Sequence, residues 1–289
     1  MPMRKNPEIV PPEWITLPWT HFAEKGVVRI LRKPGTPESG ELWRRLSSDE
    51  MTQPFIFESR EERRLHFTWN CTQSVMRRDD PVELVSPYTR KMMSFLLLNP
   101  LPEKILILGL GGGALPKFCY SRLPRTDITV VEFNADVIAL RDEFQIPADG
   151  TRFRVIHADG AAYVQGLAAP VDVILVDAFD PHGIARTLAT PQFYARAANC
   201  LSERGLLVMN FWGDPERYVD NLNAAARAFG AHLRLVSTSS GGNIVVFATR
   251  RSAPTTVTRN LESLSHRLQA MLQLDFPRYL RRLCQGETL

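Results

Sequence analysis

Between residues 103 and 250, short apolar runs alternate with segments of helical pattern, and no other feature of the sequence restricts the possible folds as strongly. The apolar runs cover residues 104–108, 128–132, 152–156, 171–177, 206–211, 232–236 and 243–247. Nearly continuous apolar strands separated by helices predict an α/β fold with a mostly parallel sheet that is covered on both faces. The last two runs lie too close together for a crossover helix, so they predict an antiparallel hairpin at the end of a seven-stranded sheet.

The segments on either side of this region have different patterns. Residues 55–69 predict two strands around a charged turn, and residues 88–98 predict a helix. After residue 250, apolar side chains recur at helical spacing, which predicts a helix packed on the domain or on a partner subunit. These side chains are Leu261, Leu264, Leu268, Met271 and Leu272. The chain is therefore divided into an N-terminal β-rich unit (1–100), an α/β domain (101–250) and a C-terminal helical tail (251–289).

Composition excludes several classes of protein. Of the 289 residues, 44% are hydrophobic and 23% are charged, which is typical of a globular chain and not of a disordered, coiled-coil or collagen chain. No apolar run is long enough to span a bilayer, and no apolar segment follows the first residues as in a secretory signal. Four scattered cysteines favour reduced thiols in the cytoplasm. A net charge of +4 is too small to indicate a nucleic-acid binder.

A glycine-rich turn and a spaced acid predict a nucleoside site. In an open parallel sheet, ligands bind beyond the carboxyl ends of the strands. The first run is followed by Gly109, Gly111, Gly112 and Gly113, which allow a sharp turn and a close approach of the backbone to a ligand. Glu132 follows about 20 residues later, where a carboxylate accepts hydrogen bonds from ribose hydroxyls. This pair does not separate NAD from S-adenosylmethionine, and a tight turn without a ligand is the alternative.

Three more acids follow later strands at the same edge. Asp159, before Gly160, is suited either to an adenine amino group or to capping the next helix. Asp177 and Asp180 lie three residues apart after the fourth run. One carboxylate can take a proton from an attacking amine, and the other can hold a second, cationic amine. The alternative for both is a loop-capping role.

These residues, in this order, resemble the spermidine synthase-like family of polyamine aminopropyltransferases over about residues 53–247. The resemblance implies a Rossmann-like class I methyltransferase fold behind a small N-terminal β unit, whose helix at 88–98 gates the site. It implies transfer of an aminopropyl group from decarboxylated S-adenosylmethionine to a di- or polyamine, leaving methylthioadenosine. It also implies a homodimer or tetramer.

By the same resemblance, roles carry over to single positions. The glycine-rich loop, Glu132 and the Asp159-Gly160 pair would bind the nucleoside, and Gln53 would join them as the family's Tyr-Gln element. Asp177 would be the general base and Asp180 an amine-binding group. Gln73 and Tyr88 would be further substrate-binding positions. Two more substrate-binding predictions rest on the residues themselves. Arg90 replaces an acid of the family pattern, and Trp212 is suited either to the wall of the acceptor pocket or to a packed core edge.

Three departures from the family pattern leave the donor open. The family's loop carries an Asp where this chain has Gly112, and that Asp holds the ammonium of the aminopropyl arm. The family's Tyr-His-Glu element is Tyr88-Thr89-Arg90 here. An arginine pairs better with a carboxylate, as in intact S-adenosylmethionine, than with an ammonium, unless Arg90 is only a solvated helix residue. The fifth strand ends in Asn210-Phe211-Trp212, where aminopropyltransferases commonly carry Gln.

Three hypotheses follow. The first is an aminopropyltransferase acting on a small amine. The second is a methyltransferase that uses intact S-adenosylmethionine, leaves S-adenosylhomocysteine and has an unknown acceptor. The third is a non-catalytic nucleoside-binding protein. The histidines do not cluster with acids at the spacing of metal ligands, so no metal is expected.

Overall fold

The computed structural model describes residues 13–20, 25–180, 183–212, 216, 218–230, 232–237, 242–250 and 254–286. Within these residues, a five-stranded sheet is followed by a seven-stranded sheet and a two-stranded hairpin. In this part of the chain, no helix is long and apolar enough to cross a membrane. The oligomeric state and the cytoplasmic location stay predictions.

The N-terminal sheet is antiparallel throughout. Its strands are β1 (Trp14–Trp19), β2 (Gly26–Leu31), β3 (Phe55–Glu58), β4 (Glu62–Thr68) and β5 (Cys71–Arg77), with helix α1 (Ser39–Ser47) between β2 and β3. The strands pair in chain order, so the sheet is a simple meander. Stacked Trp19 and Trp43 rings, with centroids 5.4 Å apart, belong to its separate apolar core. The two strands expected over residues 55–69 are β3 and β4, paired through Ile56 and Leu65.

The helix expected over residues 88–98 is shorter and of mixed type. Helix α2 (Pro87–Met92) begins with proline in its first turn, where no amide donor is needed, and a 3-10 helix continues over Met93–Leu97. Phe95 and Leu96 are completely buried against the second sheet. This buried segment directly follows α2, which itself contacts strands of the second sheet.

The second sheet has the predicted architecture. Its strands are β6 (Lys104–Leu108), β7 (Asp127–Glu132), β8 (Phe153–His157), β9 (Val171–Val176), β12 (Leu201–Trp212), β13 (Leu233–Ser237) and β14 (Asn243–Thr249), while β10 (Phe179–Asp180) and β11 (Gly183–Ile184) form the separate hairpin. The order is β13-β14-β12-β9-β6-β7-β8, with five neighbouring parallel strands. Strands β13 and β14 form the expected antiparallel hairpin. The fold class is confirmed.

Helices cover both faces of this sheet. They are α3 (Ala114–Arg122), α4 (Ala135–Ala139), α5 (Gly160–Gln165), α6 (Pro191–Cys200), α7 (Val219–Phe229), α8 (Arg259–Leu272) and α9 (Phe276–Gln285). Along β6, Ile105 and Ile107 join one apolar cluster while Leu106 and Leu108 join the other. Alternate side chains of a strand point to opposite faces, so a continuous apolar run is what a two-sided core requires.

The C-terminal helices pack on this same chain. Leu268 and Leu272 of α8 and Leu280 of α9 are buried in the cluster that also contains Ile105. Met271, which the helical spacing grouped with these leucines, is 66% exposed and lies outside the packed face. Of the two partners that the sequence left open for this helix, the structure therefore shows the chain's own domain.

Candidate active site

The carboxyl ends of the parallel strands meet at one edge of the second sheet. The backbone amide of Gly109, directly after β6, donates to the carbonyl of Val131 over 2.9 Å. The amide of Asp177, directly after β9, donates to the carbonyl of Leu108 over 2.9 Å. These bonds join the ends of three neighbouring strands, so the turn after β6, Glu132 and Asp177 form one site.

The turn after β6 can be built only with glycine at its first position. Gly109 has a φ of +100°, which side-chain-bearing residues rarely adopt, and a Cβ there would lie 2.3 Å from the carbonyl oxygen of Asp177. Gly113 has a φ of +72° and precedes α3 as its N-cap. At Gly111 an added Cβ would lie 3.8 Å from Ser74 Cβ, an ordinary van der Waals distance, so this part of the turn is less crowded than Gly109.

Gly112 occupies a position with no room for a side chain. A Cβ there would lie 2.7 Å from Ser74 Oγ and 2.9 Å from Phe144 Cδ1. Real Cβ atoms essentially never show contacts this short. Ser74 of β5 and the ring of Phe144 therefore fill the space that an aspartate side chain, as in the family pattern, would need at this position.

Glu132 is held against the glycine-rich turn by two backbone amides. Its Oε2 accepts from the Leu110 amide and its Oε1 from the Asn134 amide, each over 2.8 Å. A carboxylate has about four acceptor positions, so both oxygens keep capacity for ribose hydroxyls. Phe133, the next residue, is 74% exposed, and its carbonyl lies 3.0 Å from His157 Nε2. Phe133 was not singled out from the sequence, although a large apolar residue directly after the predicted ribose-binding acid was a usable signal.

Asp159 caps a helix. Its Oδ1 accepts from the Ala162 amide over 2.8 Å, which makes it the N-cap of α5, with Gly160 as the first helical residue. This is the capping role that the sequence left open beside adenine binding. Adenine binding by Asp159 stays a prediction.

Asp177 is the centre of a hydrogen-bonded cluster. Tyr88 Oη of α2 donates to its Oδ2 over 3.1 Å, and Asn210 Nδ2 of β12 donates to its Oδ1 over 3.0 Å. Asn243 Nδ2 of β14 donates to Asn210 Oδ1 over 2.9 Å, which orients the Asn210 amide so that its nitrogen faces Asp177. Neither Asn210 nor Asn243 was assigned a role from the sequence. For Asn210, the available signal was a polar residue inside the apolar run of β12. The structure shows it only 2% exposed.

The surroundings make Asp177 a stronger base than an exposed aspartate. Burial raises the pKa of the Asp177 carboxyl, and the hydrogen bonds from Asn210 and Tyr88 oppose this rise without cancelling it. Burial and the charge of Asp177 raise the pKa of Tyr88 well above its usual value, so Tyr88 stays protonated and donates at neutral pH. The cluster can therefore hold an anionic carboxylate that readily accepts a proton.

Other predicted site residues have contacts away from this cluster. The Arg90 guanidinium donates to the carbonyls of Leu84 and Val85 and lies 3.4 Å from Glu83. It is not brought together with Asp177, although Tyr88 on the same helix is. In the N-terminal sheet, Gln53 Nε2 donates to the Leu31 carbonyl over 3.1 Å.

Three further predicted residues differ in their surroundings. Gln73 Nε2 lies 3.3 Å from Cys71 Sγ, on the same strand as Ser74. Trp212 at the end of β12 is 49% exposed, so it does not belong to the packed core. Asp180 lies in β10, opposite Gly183 in the hairpin, and its side chain lies outside the described part of the structure. Where the structure is described, no group of three His, Cys, Asp or Glu side chains could hold a metal ion.

The chain is similar to known proteins over most of its length. The sequence profile of the Spermine/spermidine synthase domain matches residues 86–226. A polyamine aminopropyltransferase of Chromobacterium violaceum is 35% identical over 238 residues, which cover 82% of this chain and 91% of the relative.

Two solved structures share the fold. A spermidine synthase in complex with the transition-state analogue AdoDATO aligns with a TM-score of 0.61 at 16% identity, over 97% of this chain and 94% of its own. Human methyltransferase-like protein 13 in complex with SAH aligns with a TM-score of 0.54 at 23% identity, over 68% of this chain and 93% of its own.

Proposed function

Because the chain belongs to the spermine/spermidine synthase family, we propose that it transfers an aminopropyl group from decarboxylated S-adenosylmethionine to a small di- or polyamine. It is a transferase with a donor of the S-adenosylmethionine type and a small amine acceptor. The observation that carries the proposal is the Asp177 cluster, in which Tyr88 and Asn210 both donate to one carboxylate.

In the proposed reaction, a neutral amine of the acceptor attacks the aminopropyl carbon that is bonded to the donor's sulfonium sulfur. A nitrogen–carbon bond forms and the carbon–sulfur bond breaks, and its electron pair stays on sulfur to give methylthioadenosine. The attacking nitrogen must then lose a proton. Asp177 accepts that proton, since Tyr88 and Asn210 donate to its two oxygens and hold it at the end of β9.

The residues around Asp177 divide between the two substrates. We assign the donor's ribose to Glu132 and its adenine to the side of Asp159 and Phe133. The glycine-rich turn would let the donor lie close to the backbone. Gln53 stays a predicted donor-side residue. On the acceptor side, Asp180 and Trp212 are assigned to the second amine and to the pocket wall, with Gln73 as a further predicted contact.

Two observations bear on the choice between donors. Gly112 leaves the aminopropyl ammonium without the family's aspartate, which favours the intact donor. Against this, the described side chains and amides that contact Asp177 and Glu132 include no cation for a donor carboxylate, and Arg90 is bound to Leu84, Val85 and Glu83 instead. A carboxylate beside Asp177 would meet a like charge, so the decarboxylated donor is the better fit.

The donor preference is tested by calorimetric titration of the protein with decarboxylated and with intact S-adenosylmethionine. We expect at least about tenfold tighter binding of the decarboxylated donor, a difference of about 1.4 kcal/mol. Methylthioadenosine release with a panel of diamines then tests transfer. Tighter binding of the intact donor, weakened in Arg90→Ala, would favour the methyltransferase hypothesis, and tight binding without turnover of any amine or methyl acceptor would favour a non-catalytic protein.

Asn210 offers a separate test of the cluster. Its hydrogen bond lowers the pKa of Asp177, so in Asn210→Ala that pKa should rise further. A base must be ionised to act, and we expect the acidic limb of the kcat/KM profile to move to higher pH. At pH 7, kcat/KM should fall by about tenfold or more, as for the loss of one hydrogen bond to a charged group.

The matched control is Asn221→Ala. Asn221, on helix α7, is also a buried asparagine, but its Oδ1 accepts from Tyr194 Oη of α6 over 3.2 Å. Its loss should lower stability to a similar degree and leave the pH profile unchanged. An unchanged profile in Asn210→Ala would contradict the role of Asn210, and a shift in both variants would mean that the effect is only structural.

A further inference from the structure

A cavity lies behind helix α2, away from the Asp177 cluster. It has a volume of about 530 Å³, is partly open to solvent, and lies between residues 80–84, α2, the end of α3, the segment joining α8 to α9, and α9 itself. Pro87, Arg90 and Lys91 of α2 line it, whereas Tyr88 of the same helix contacts Asp177. Of the predicted site residues that the structure describes, Arg90 alone lines this cavity.

The cavity is rich in cations. Five of its lining side chains are cationic: Arg90, Lys91, Arg122, Arg278 and Arg282. They come from three separate helices, α2, α3 and α9, so their meeting is a product of the tertiary structure. Like charges gathered in one partly open cavity repel one another, and solvent screening reduces this repulsion at the exposed members.

Each carboxylate that lines the cavity already has a local partner, and for Glu83 that partner is Arg90, a cation of the cavity itself. Glu83 lies 3.4 Å from Arg90 and 3.9 Å from Arg77. Asp275 is the N-cap of α9, where its Oδ1 accepts from the Arg278 amide over 3.1 Å. Asp80 Oδ1 accepts from the Val82 amide over 3.2 Å. Each of them therefore already serves a local partner.

Within the described part of the chain, three guanidinium groups of the cavity, all on exposed side chains, form no ion pair. No carboxylate among the described residues lies within ion-pair distance of Arg122, Arg278 or Arg282. Burial lowers the pKa of Lys91, and the charges of Arg282 and Arg278 lower it further, which shows that these cations act on one another. Their mutual repulsion would be relieved by an anion in the cavity.

We propose that this cavity binds a polyphosphate group, either as free inorganic polyphosphate or as part of a nucleoside triphosphate. Guanidinium groups match phosphate oxygens with paired hydrogen bonds, and several of them together favour an anion with more than one negative charge. The volume of about 530 Å³ is in the range of small-molecule sites. This site is separate from the proposed transfer reaction and does not depend on it.

The test is a calorimetric titration of the full chain with sodium tripolyphosphate, in a phosphate-free buffer with physiological salt. We expect one ligand per chain, and at least about tenfold weaker binding to the Arg278→Gln/Arg282→Gln double variant. A parallel titration with GTP separates the two sources, since tighter binding of GTP assigns the site to a nucleotide and equal binding assigns it to the polyphosphate alone.

The matched control is the Arg259→Gln/Arg281→Gln double variant. It makes the same change in net charge on the exposed faces of α8 and α9, outside the cavity. This variant should bind tripolyphosphate like the wild type. Equal weakening in both double variants, binding of several ligands per chain, or no binding to the wild type would overturn the proposal. Arg122→Gln, on α3, repeats the test if the α9 variant does not fold.

Discussion

Replacing Asp177 by asparagine is expected to lower kcat for aminopropyl transfer by at least about 10²-fold, while donor binding stays within about twofold, because only the proton acceptor is lost. Asparagine has the same shape as aspartate, and its oxygen can still accept from Asn210. Its amide nitrogen can donate to Tyr88 Oη, which is also an acceptor. The hydrogen-bonded frame at the end of β9 is therefore retained, and methylthioadenosine release together with donor titration separates turnover from binding.

The same variant should be more stable than the wild type at neutral pH. Burial raises the pKa of Asp177 in the folded protein, so the stability that the protonated carboxyl provides is lost as the pH rises through this pKa. Asparagine carries no charge and escapes this loss. In thermal unfolding, the variant should have a higher Tm than the wild type at about pH 7 to 8. The difference should vanish below about pH 4, near the pKa of aspartate in the unfolded chain.

Asp172→Asn is the matched control. Asp172 lies on the same strand, β9, but at its amino end, where it accepts from the amides of Glu103 and Lys104 and from Ser202 Oγ. This control should keep kcat and lose stability, the reverse of the expectation for Asp177. Undiminished turnover in Asp177→Asn would remove Asp177 as the base and with it the main support for the proposed function.

Replacing Gly109 by alanine is expected to destabilise the protein by about 3 kcal/mol or more. Single substitutions have effects of this size for only a few physical reasons, such as backbone strain and steric overlap. Two of these causes meet here. A φ of +100° is strained for alanine, and the new Cβ would lie 2.3 Å from the Asp177 carbonyl oxygen. That oxygen belongs to the backbone and cannot rotate away, so relief requires the ends of β6 and β9 to separate.

Thermal unfolding and turnover together test this expectation. A chain of this size should lose several degrees in Tm for such a change, and kcat should fall because Asp177 is displaced. Gly150→Ala is the control, since Gly150 has open space around its Cβ position and no positive φ. It should stay within about 0.5 kcal/mol of the wild type. A stable and active Gly109→Ala protein would contradict the described turn.

The architecture was predictable because it depends on local periodicity. Continuous apolar runs such as 104–108 require helices on both faces of a sheet, and Ile105 and Leu106 do lie in opposite clusters. Turn length alone predicted the β13–β14 hairpin. The same reasoning correctly located Glu132 and Asp177 at one edge, since parallel strands end together. It did not reveal that Met271 lies outside the face packed on this chain, because helical spacing does not show where the packed face ends.

The sequence by itself therefore determined the α/β fold, the edge that carries the site and the acids that lie there. Only the tertiary structure decided which partners those acids have. Tyr88 and Asp177 are 89 residues apart in the chain, and Asn210 reaches Asp177 from another strand. It also decided that Arg90 contacts Leu84 instead of the Asp177 cluster. The physical reason is that hydrophobic patterns are read along the chain, whereas hydrogen bonds between side chains depend on how distant elements pack.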